Sequence, residues 1–257
     1  MTGSDPNPTL SPAPEQAFRL DWGLHGILGM LGRHDFHSVL DIGSGQGEHK
    51  RFFELFGKEV HSLDLIQTAD YVGDFLEVDF DRQFDAVWCS HVLEHQRNVG
   101  LFLDKVFHVL RDDGVLAIIV PLHPRERLIS GHLTSWSIPL LCYNLVMAGF
   151  DCQAAEILGT YELSLIVRKV RAEHSEIRSV SAHGADAGVT FENTSRFFPF
   201  PARQGTTVSS QGAINWPQPI HYRLPRPAGS RDIRLRIESK NIVRHPQLSP
   251  RINFVAE

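Results

Sequence analysis

Two hydrophobic periods alternate along residues 38–170 of the chain. Short apolar runs bounded by polar or glycine residues predict strands over 38–42, 59–65, 71–75, 84–89, 115–121, 152–158 and 163–170. The run Val115 to Pro121 is apolar throughout, as expected of a strand covered on both faces. Between these runs, apolar residues recur every three or four positions and predict helices over 48–56, 99–110 and 138–148. Arg111-Asp112-Asp113-Gly114 reads as the stop of the second helix, and Gly149 as the stop of the third, which carries Pro139 in its first turn. Phe18, Trp22, Ile27, Leu28 and Leu31 suggest a further helix over 18–31, broken near Gly23 and Gly26 and lying across the mouth of the fold.

Strands alternating with helices imply an α/β, Rossmann-like, doubly wound and mostly parallel sheet, with helices on both faces. Ligands then bind beyond the carboxyl ends of the strands. Residues 1–16 are rich in Pro, Ser and Asn and read as a disordered N-terminus; residues 17–170 form the main domain. From about Arg171 the rhythm stops. Only Ile233-Arg234-Leu235-Arg236-Ile237 alternates as a half-buried strand does, so residues 171–257 read as a β-and-loop extension: a subdomain, a lid or a homodimer arm.

Composition narrows the class. The 257 residues are 42% hydrophobic and 21% charged, with a net charge of −5. That balance gives no general attraction to nucleic acid or anionic membrane. Arg226, Arg231, Arg234 and Arg236 read as a solvated strand face. Cys89, Cys142 and Cys152 are odd in number and widely spaced, which predicts buried thiols in a reducing compartment. The start lacks a cationic and an apolar signal region, and no apolar run reaches the ~18 residues of a membrane span. A cytoplasmic protein without membrane insertion is expected.

The chemistry begins at Asp41-Ile42-Gly43-Ser44-Gly45-Gln46-Gly47-Glu48. A buried strand breaks there into a glycine turn and then starts a helix. Such a turn lets backbone approach a ligand, and the helix aims free N–H groups at the same spot. The dinucleotide fingerprint Gly-x-Gly-x-x-Gly would need a third glycine where Glu48 stands. Acidic neighbours repel a pyrophosphate but suit a cationic sulfonium amino acid. Asp64 ends the second strand, where a carboxylate can accept both hydroxyls of a ribose. Gly73-Asp74-Phe75 offers a polar contact and an apolar wall.

In order and spacing, residues 39–47, Asp64, Asp74, the block 84–95 and residues 110–121 resemble the motifs of class I S-adenosylmethionine-dependent methyltransferases. The resemblance covers residues 35–170. It implies a seven-stranded sheet with a reversed last strand and S-adenosylmethionine as cofactor. It also implies that Gly43, Ser44, Gly45 and Gly47 line the methionine part and that Asp41 orients the turn. Asp64, with Leu65 beside it, would hold the ribose. Asp74 and Phe75 would frame the adenine, and Ser90 and His91 would lie beside the sulfonium.

In Ser90-His91-Val92-Leu93-Glu94-His95, a histidine titrating near neutrality suits removal of an alcohol proton, so His95 and His91 are the candidate catalytic bases. His91, Glu94 and His95, joined by His123 or His132, would make a nitrogen-rich metal set. Only three of its donors are local, and no metal is expected. His123, His132 and Trp136 follow the fifth strand and suit a polar ring in the acceptor. The stretch Gly131 to Ser137 resembles methyltransferases associated with bacterial surface polysaccharides. The expected function is therefore methyl transfer to an oxygen of a small molecule or glycan intermediate. The rivals are a catalytically silent binding protein of the same fold and an RNA methyltransferase. Cys89-Ser90-His91-Val92 stands where amino-group methylators carry Asn/Asp-Pro-Pro-aromatic, which disfavours base amines.

Overall fold

The computed structural model describes residues 15–122, 127–170, 194–203, 205–217, 220–228 and 234–255. Its centre is one sheet of β2 (Ser38–Ile42), β3 (Glu59–Asp64), β4 (Tyr71–Val72), β5 (Phe84–Ser90), β6 (Leu110–Pro121), β7 (Glu156–Gly159), β8 (Glu162–Arg168) and β9 (Gly212–Ile214). Their order across the sheet is β4-β3-β2-β5-β6-β8-β7-β9. β2 runs parallel to β3 and β5, and β5 to β6, whereas β8 runs antiparallel to β6 and β7. Chain order reverses direction between β2 and β5, which opens a crevice at their carboxyl ends.

Both faces of the sheet are covered. Side chains alternate along a strand, so Leu40 and Ile42 of β2 enter one core while Val39 enters the other. The first core packs α3 (Val99–Val109) and α4 (Ile138–Met147) through Phe102, Leu103, Val106, Leu141 and Leu145. The second packs α1 (Leu24–Arg33) and α2 (Glu48–Leu55) through Leu24, Ile27, Leu28, Phe52 and Phe53. Ser137 caps α4, its Oγ accepting the Leu140 N–H at 3.4 Å.

Three expectations change. The broken helix over 18–31 is instead β1 (Glu15–Arg19) followed by α1, which runs unbroken through Gly26. A Cβ on Gly26 would come within 3.0–3.2 Å of Ile119 and Trp88, so this glycine serves close helix–sheet packing, not a break. Residues 15 and 16, read as tail, belong to β1 and pair in parallel with β11 (Arg234–Glu238). Among the described residues the sheet has eight strands, not seven, because β9 of the extension adds to β7. The extension also supplies β10 (His221–Leu224) paired with β12 (Arg251–Phe254), and the short α5 (Lys240–Arg244). Trp216, Tyr222 and Leu224 fill the core around α1. β11 falls on the alternation read at 233–237, whereas β9, β10 and β12, of three or four residues, carry too few positions for periodicity to announce them.

The three cysteines are free and buried. No helix among the described residues is long and apolar enough to cross a membrane.

Candidate active site

The turn after β2 takes the shape that its glycines allow. Gly43, Gly45 and Gly47 have φ of 73°, 52° and 76°, a region that other residues enter at a cost. The Gly43 and Ser44 N–H groups donate to Leu63 O at 2.8 and 3.1 Å, tying the turn to β3. A Cβ on Gly43 would collide with Val92 Cγ2, so the turn abuts the segment leaving β5. A Cβ on Gly45 would meet no atom of the described residues within 4 Å; its surface is open.

Two carboxylates flank this turn. Asp64 Oδ2 accepts the Gly45 N–H at 2.8 Å, and its Oδ1 accepts the Ile66 N–H at 3.3 Å. Asp41 is buried, and its Oδ2 has no hydrogen-bond partner among the described residues. Burial raises the Asp41 pKa to about 7; the nearby Asp64 charge adds to that, and Lys50 opposes it.

The segment after β5 carries the second half of the site. His91 has φ 56° and donates its N–H to Ile119 O at 2.9 Å, which turns its side chain toward β8. There His91 Nε2 lies 3.1 Å from Glu162 Oε2, and Nδ1 lies 3.3 Å from Glu94 Oε1. Burial alone would lower the His91 pKa, but hydrogen bonding and charge from Glu162 and Glu94 outweigh it and lift the pKa to about 9. A histidine so held carries its proton at neutral pH. In that state both ring nitrogens face carboxylates, and neither offers a lone pair to an acceptor proton. Glu162 is fully buried and also accepts the Gly23 N–H at 2.9 Å, fixing the start of α1. The Trp22 ring rests 4.5 Å from His91. Lys240 of α5 holds this corner from outside: its N–H donates to Asp21 Oδ1 at 2.8 Å, and its Nζ sits 4.7 Å from the Trp22 ring centre.

His95 closes a 3-10 turn, Leu93–His95, and is exposed. Its Nδ1 lies 2.7 Å from Gly131 O. A carbonyl only accepts, so Nδ1 bears a hydrogen, and in a neutral ring the lone pair lies on Nε2. The loop after β6 is pinned here: the Leu133 and Thr134 N–H groups donate to Glu94 O at 2.8 and 3.1 Å. This places His132 edge-on to His95, with ring centres 4.9 Å apart.

The other expected residues divide. Ser44 is buried in the turn, and Ser90 is buried with an Oγ that lacks a hydrogen-bond partner among the described residues. Leu65 is 73% exposed beyond β3. Asp74 caps its own turn, Oδ1 accepting the Leu76 N–H at 2.8 Å. Phe75 does not wall an open site: it is 4% exposed, with its ring 4.9 Å from that of Phe102 in the core. Trp136 is likewise a core residue at 6% exposure, not a platform for a ring. His123 lies outside the described residues. Sequence reasoning missed Glu162 and missed Trp22 as a site residue. A glutamate opening an otherwise apolar strand was the one available signal for Glu162.

Comparison with known proteins bears on the fold. The [4+2]-cyclase SpnF shares the fold, with a TM-score of 0.50 and 15% identity over 58% of this chain and 80% of that one. Two further solved structures are similar. One is the 1,6-didemethyltoxoflavin-N1-methyltransferase of Burkholderia thailandensis, solved with 1,6-didemethyltoxoflavin and S-adenosylhomocysteine bound (TM-score 0.48, 21% identity, 56% of this chain and 77% of that one). The other is CalS10, an amino pentose methyltransferase from Micromonospora echinaspora solved with S-adenosylmethionine bound (TM-score 0.47, 17% identity, 57% and 89%). No curated protein sequence matches the chain. At such identities a structural likeness speaks for the fold alone, and a fold hosts many chemistries. The family model described as a methyltransferase domain reaches further, matching residues 16–146 from β1 through the glycine turn and the His91–His95 block into α4. On that match over half its length, the chain belongs to the methyltransferase domain family.

Proposed function

We propose that this chain transfers the methyl group of S-adenosylmethionine to an oxygen of a small-molecule or glycan acceptor. The carrying observation is the corner between β2, β3 and β5. Asp41 Oδ2 is buried there without a hydrogen-bond partner among the described residues, beneath a glycine turn whose Gly45 surface is open. A buried carboxylate in that state costs free energy until a cation or a donor reaches it. S-adenosylmethionine carries both a sulfonium and an ammonium, so the residues present fit it. Gly43, Ser44, Gly45 and Gly47 would hold its methionine part over Asp41. Asp64 would take the ribose hydroxyls on lone pairs left after its bond to Gly45.

When bound, S-adenosylmethionine supplies an activated methyl; what the chain adds is alignment and proton handling. His95 Nε2 keeps a lone pair at an exposed position beside Glu94, which suits removal of a proton from an acceptor hydroxyl. His91, protonated and clamped by Glu162, fixes the wall between donor and acceptor. Trp22, 39% exposed beside His91, offers the ring-stacking surface that buried Trp136 does not.

Calorimetry of the full chain with S-adenosylmethionine and S-adenosylhomocysteine tests the donor corner, and labelled-methyl transfer to a panel of hydroxylated small molecules and sugars tests the acceptor. We expect both the donor and its demethylated product to bind. We also expect His95→Ala to lower turnover by about 10²- to 10⁴-fold with donor affinity kept. Absence of binding by both ligands would end this reading.

A further inference from the structure

Methyl transfer at the donor corner leaves a second cavity unused. Its volume is about 670 Å³, within the roughly 300–1,000 Å³ of small-ligand sites. Its lining includes Thr160 and Tyr161 of the β7–β8 turn, and Gln211, His245, Gln247 and Leu248 of the extension. None of the described residues that line it is Asp, Glu, Lys or Arg. The whole cavity lies outside residues 16–146, the span matched by the methyltransferase domain family, so that match gives it no role.

The cavity opens at the working end of the sheet. β8 pairs with β6 so that Glu162 lies opposite Pro121, the carboxyl end of β6. The turn just before Glu162 therefore sits at the same end as the donor corner. Aromatic rings link the two places. The Trp22 ring lies 4.5 Å from His91 and 6.4 Å from Tyr161, and Tyr161 lies 6.3 Å from His245 with the ring planes 9° apart. This series begins at the part-buried His91 and ends at the exposed His245. Its outer members are held in place. A Cβ on Gly159 would collide with Ser210 O, so the extension lies directly against the hairpin. His245 follows α5, its N–H donating to Asn241 O at 2.9 Å, and α5 is itself docked on Asp21. The Tyr161 hydroxyl is buried, and burial together with the Glu162 charge holds its pKa well above the ordinary value, so the ring stays neutral.

Nearly parallel aromatic rings offer flat apolar surface to the C–H face of a pyranose. The amides of Gln211 and Gln247 can donate to and accept from its hydroxyls. A carboxylate or phosphate entering the same space would give up its hydration with no ion partner in return. We propose that this cavity binds a neutral sugar unit of a glycan acceptor, apart from the unit whose hydroxyl is methylated. The inference rests on the glycan form of the methyl-transfer reading and deepens it. Binding energy gained at a remote unit holds the reacting hydroxyl in line with the methyl group. A shortened acceptor that cannot reach the cavity is then methylated more slowly than one that can.

The test exposes the full chain, with and without S-adenosylhomocysteine, to an array of neutral and acidic oligosaccharides, and then measures the best binder by calorimetry. We expect neutral glycans to bind in preference to acidic ones. His245→Ala and Gln247→Ala, both at exposed positions, should each weaken that binding at least about fivefold, while S-adenosylmethionine affinity and circular dichroism stay unchanged. Tyr161→Phe keeps the ring and should keep glycan binding; Tyr161→Ala should lose it. No glycan bound, a preference for acidic glycans, or a glycan affinity unmoved in both extension variants overturns the proposal. Glycan binding by a chain that binds no S-adenosylmethionine keeps the cavity and removes the methyl-transfer reading. Donor binding and methylation of a small molecule, with no glycan bound, keeps methyl transfer and removes the sugar site.

Discussion

Glu162 Oε2 and His91 Nε2 meet at 3.1 Å, although 71 residues separate them in the chain. The contact joins the reversed strand β8 to the segment leaving β5, and through Gly23 it also holds the start of α1. Three parts of the site wall hang on one buried carboxylate.

Glu162→Gln removes the charge and leaves the buried imidazolium with Glu94 alone. Loss of one partner of a buried pair costs about 3 kcal/mol or more. Urea unfolding should show that loss, together with a rise in Trp22 mobility by fluorescence anisotropy. An unchanged midpoint would mean that the wall does not depend on this pair.

Asp41 gives a pH signature. Its pKa, raised to about 7 by burial and by Asp64, means that the ligand-free protein holds it protonated below neutrality. A cationic donor favours the ionised form. Donor affinity should therefore rise by about tenfold between pH 6 and pH 8, as the ionised fraction does. The raised pKa has the opposite sign for stability. The folded state binds a proton that the unfolded state has already lost, so ligand-free stability falls as pH climbs from the ordinary carboxylate range through 7. Asp41→Asn should flatten both curves: weaker donor binding at pH 8, yet a higher melting temperature without ligand. Parallel loss of stability and binding would contradict this account.

Gly43 and Gly45 share a left-handed conformation but differ in surroundings. Gly43→Ala drives a methyl into Val92 and should cost about 1–3 kcal/mol of stability. Gly45→Arg faces open space, so the fold should survive with only the φ penalty while donor binding is abolished. Calorimetry and thermal melts on the two variants separate a structural glycine from a ligand-facing one; unchanged donor affinity in Gly45→Arg would move the site elsewhere.

Trp136 sits in the core with Ile138 and Leu141. Trp136→Ala should cost about 3–5 kcal/mol, visible as a lowered denaturant midpoint. Trp22→Ala should instead raise the acceptor KM with little loss of stability. The reverse pattern would restore Trp136 to the acceptor surface.

What the sequence determined by itself was local. Alternation and helical spacing placed β2, β3, β5, β8 and α2 to α4 within a few residues, and β6 from Val115 onward though it begins at Leu110, because each buried face is written into its own element. The glycine turn, Asp41 and Asp64 were legible for the same reason: a tight turn at a strand end leaves its mark in adjacent residues. Tertiary structure alone decided which polar groups meet. Nothing near Glu162 names His91, since such a pair forms across a sheet whose strand order is not chain order. It also decided which aromatics are spent on the core, Phe75 and Trp136, and which stays open, Trp22. An aromatic side chain suits either place, and only the packing around it settles the matter.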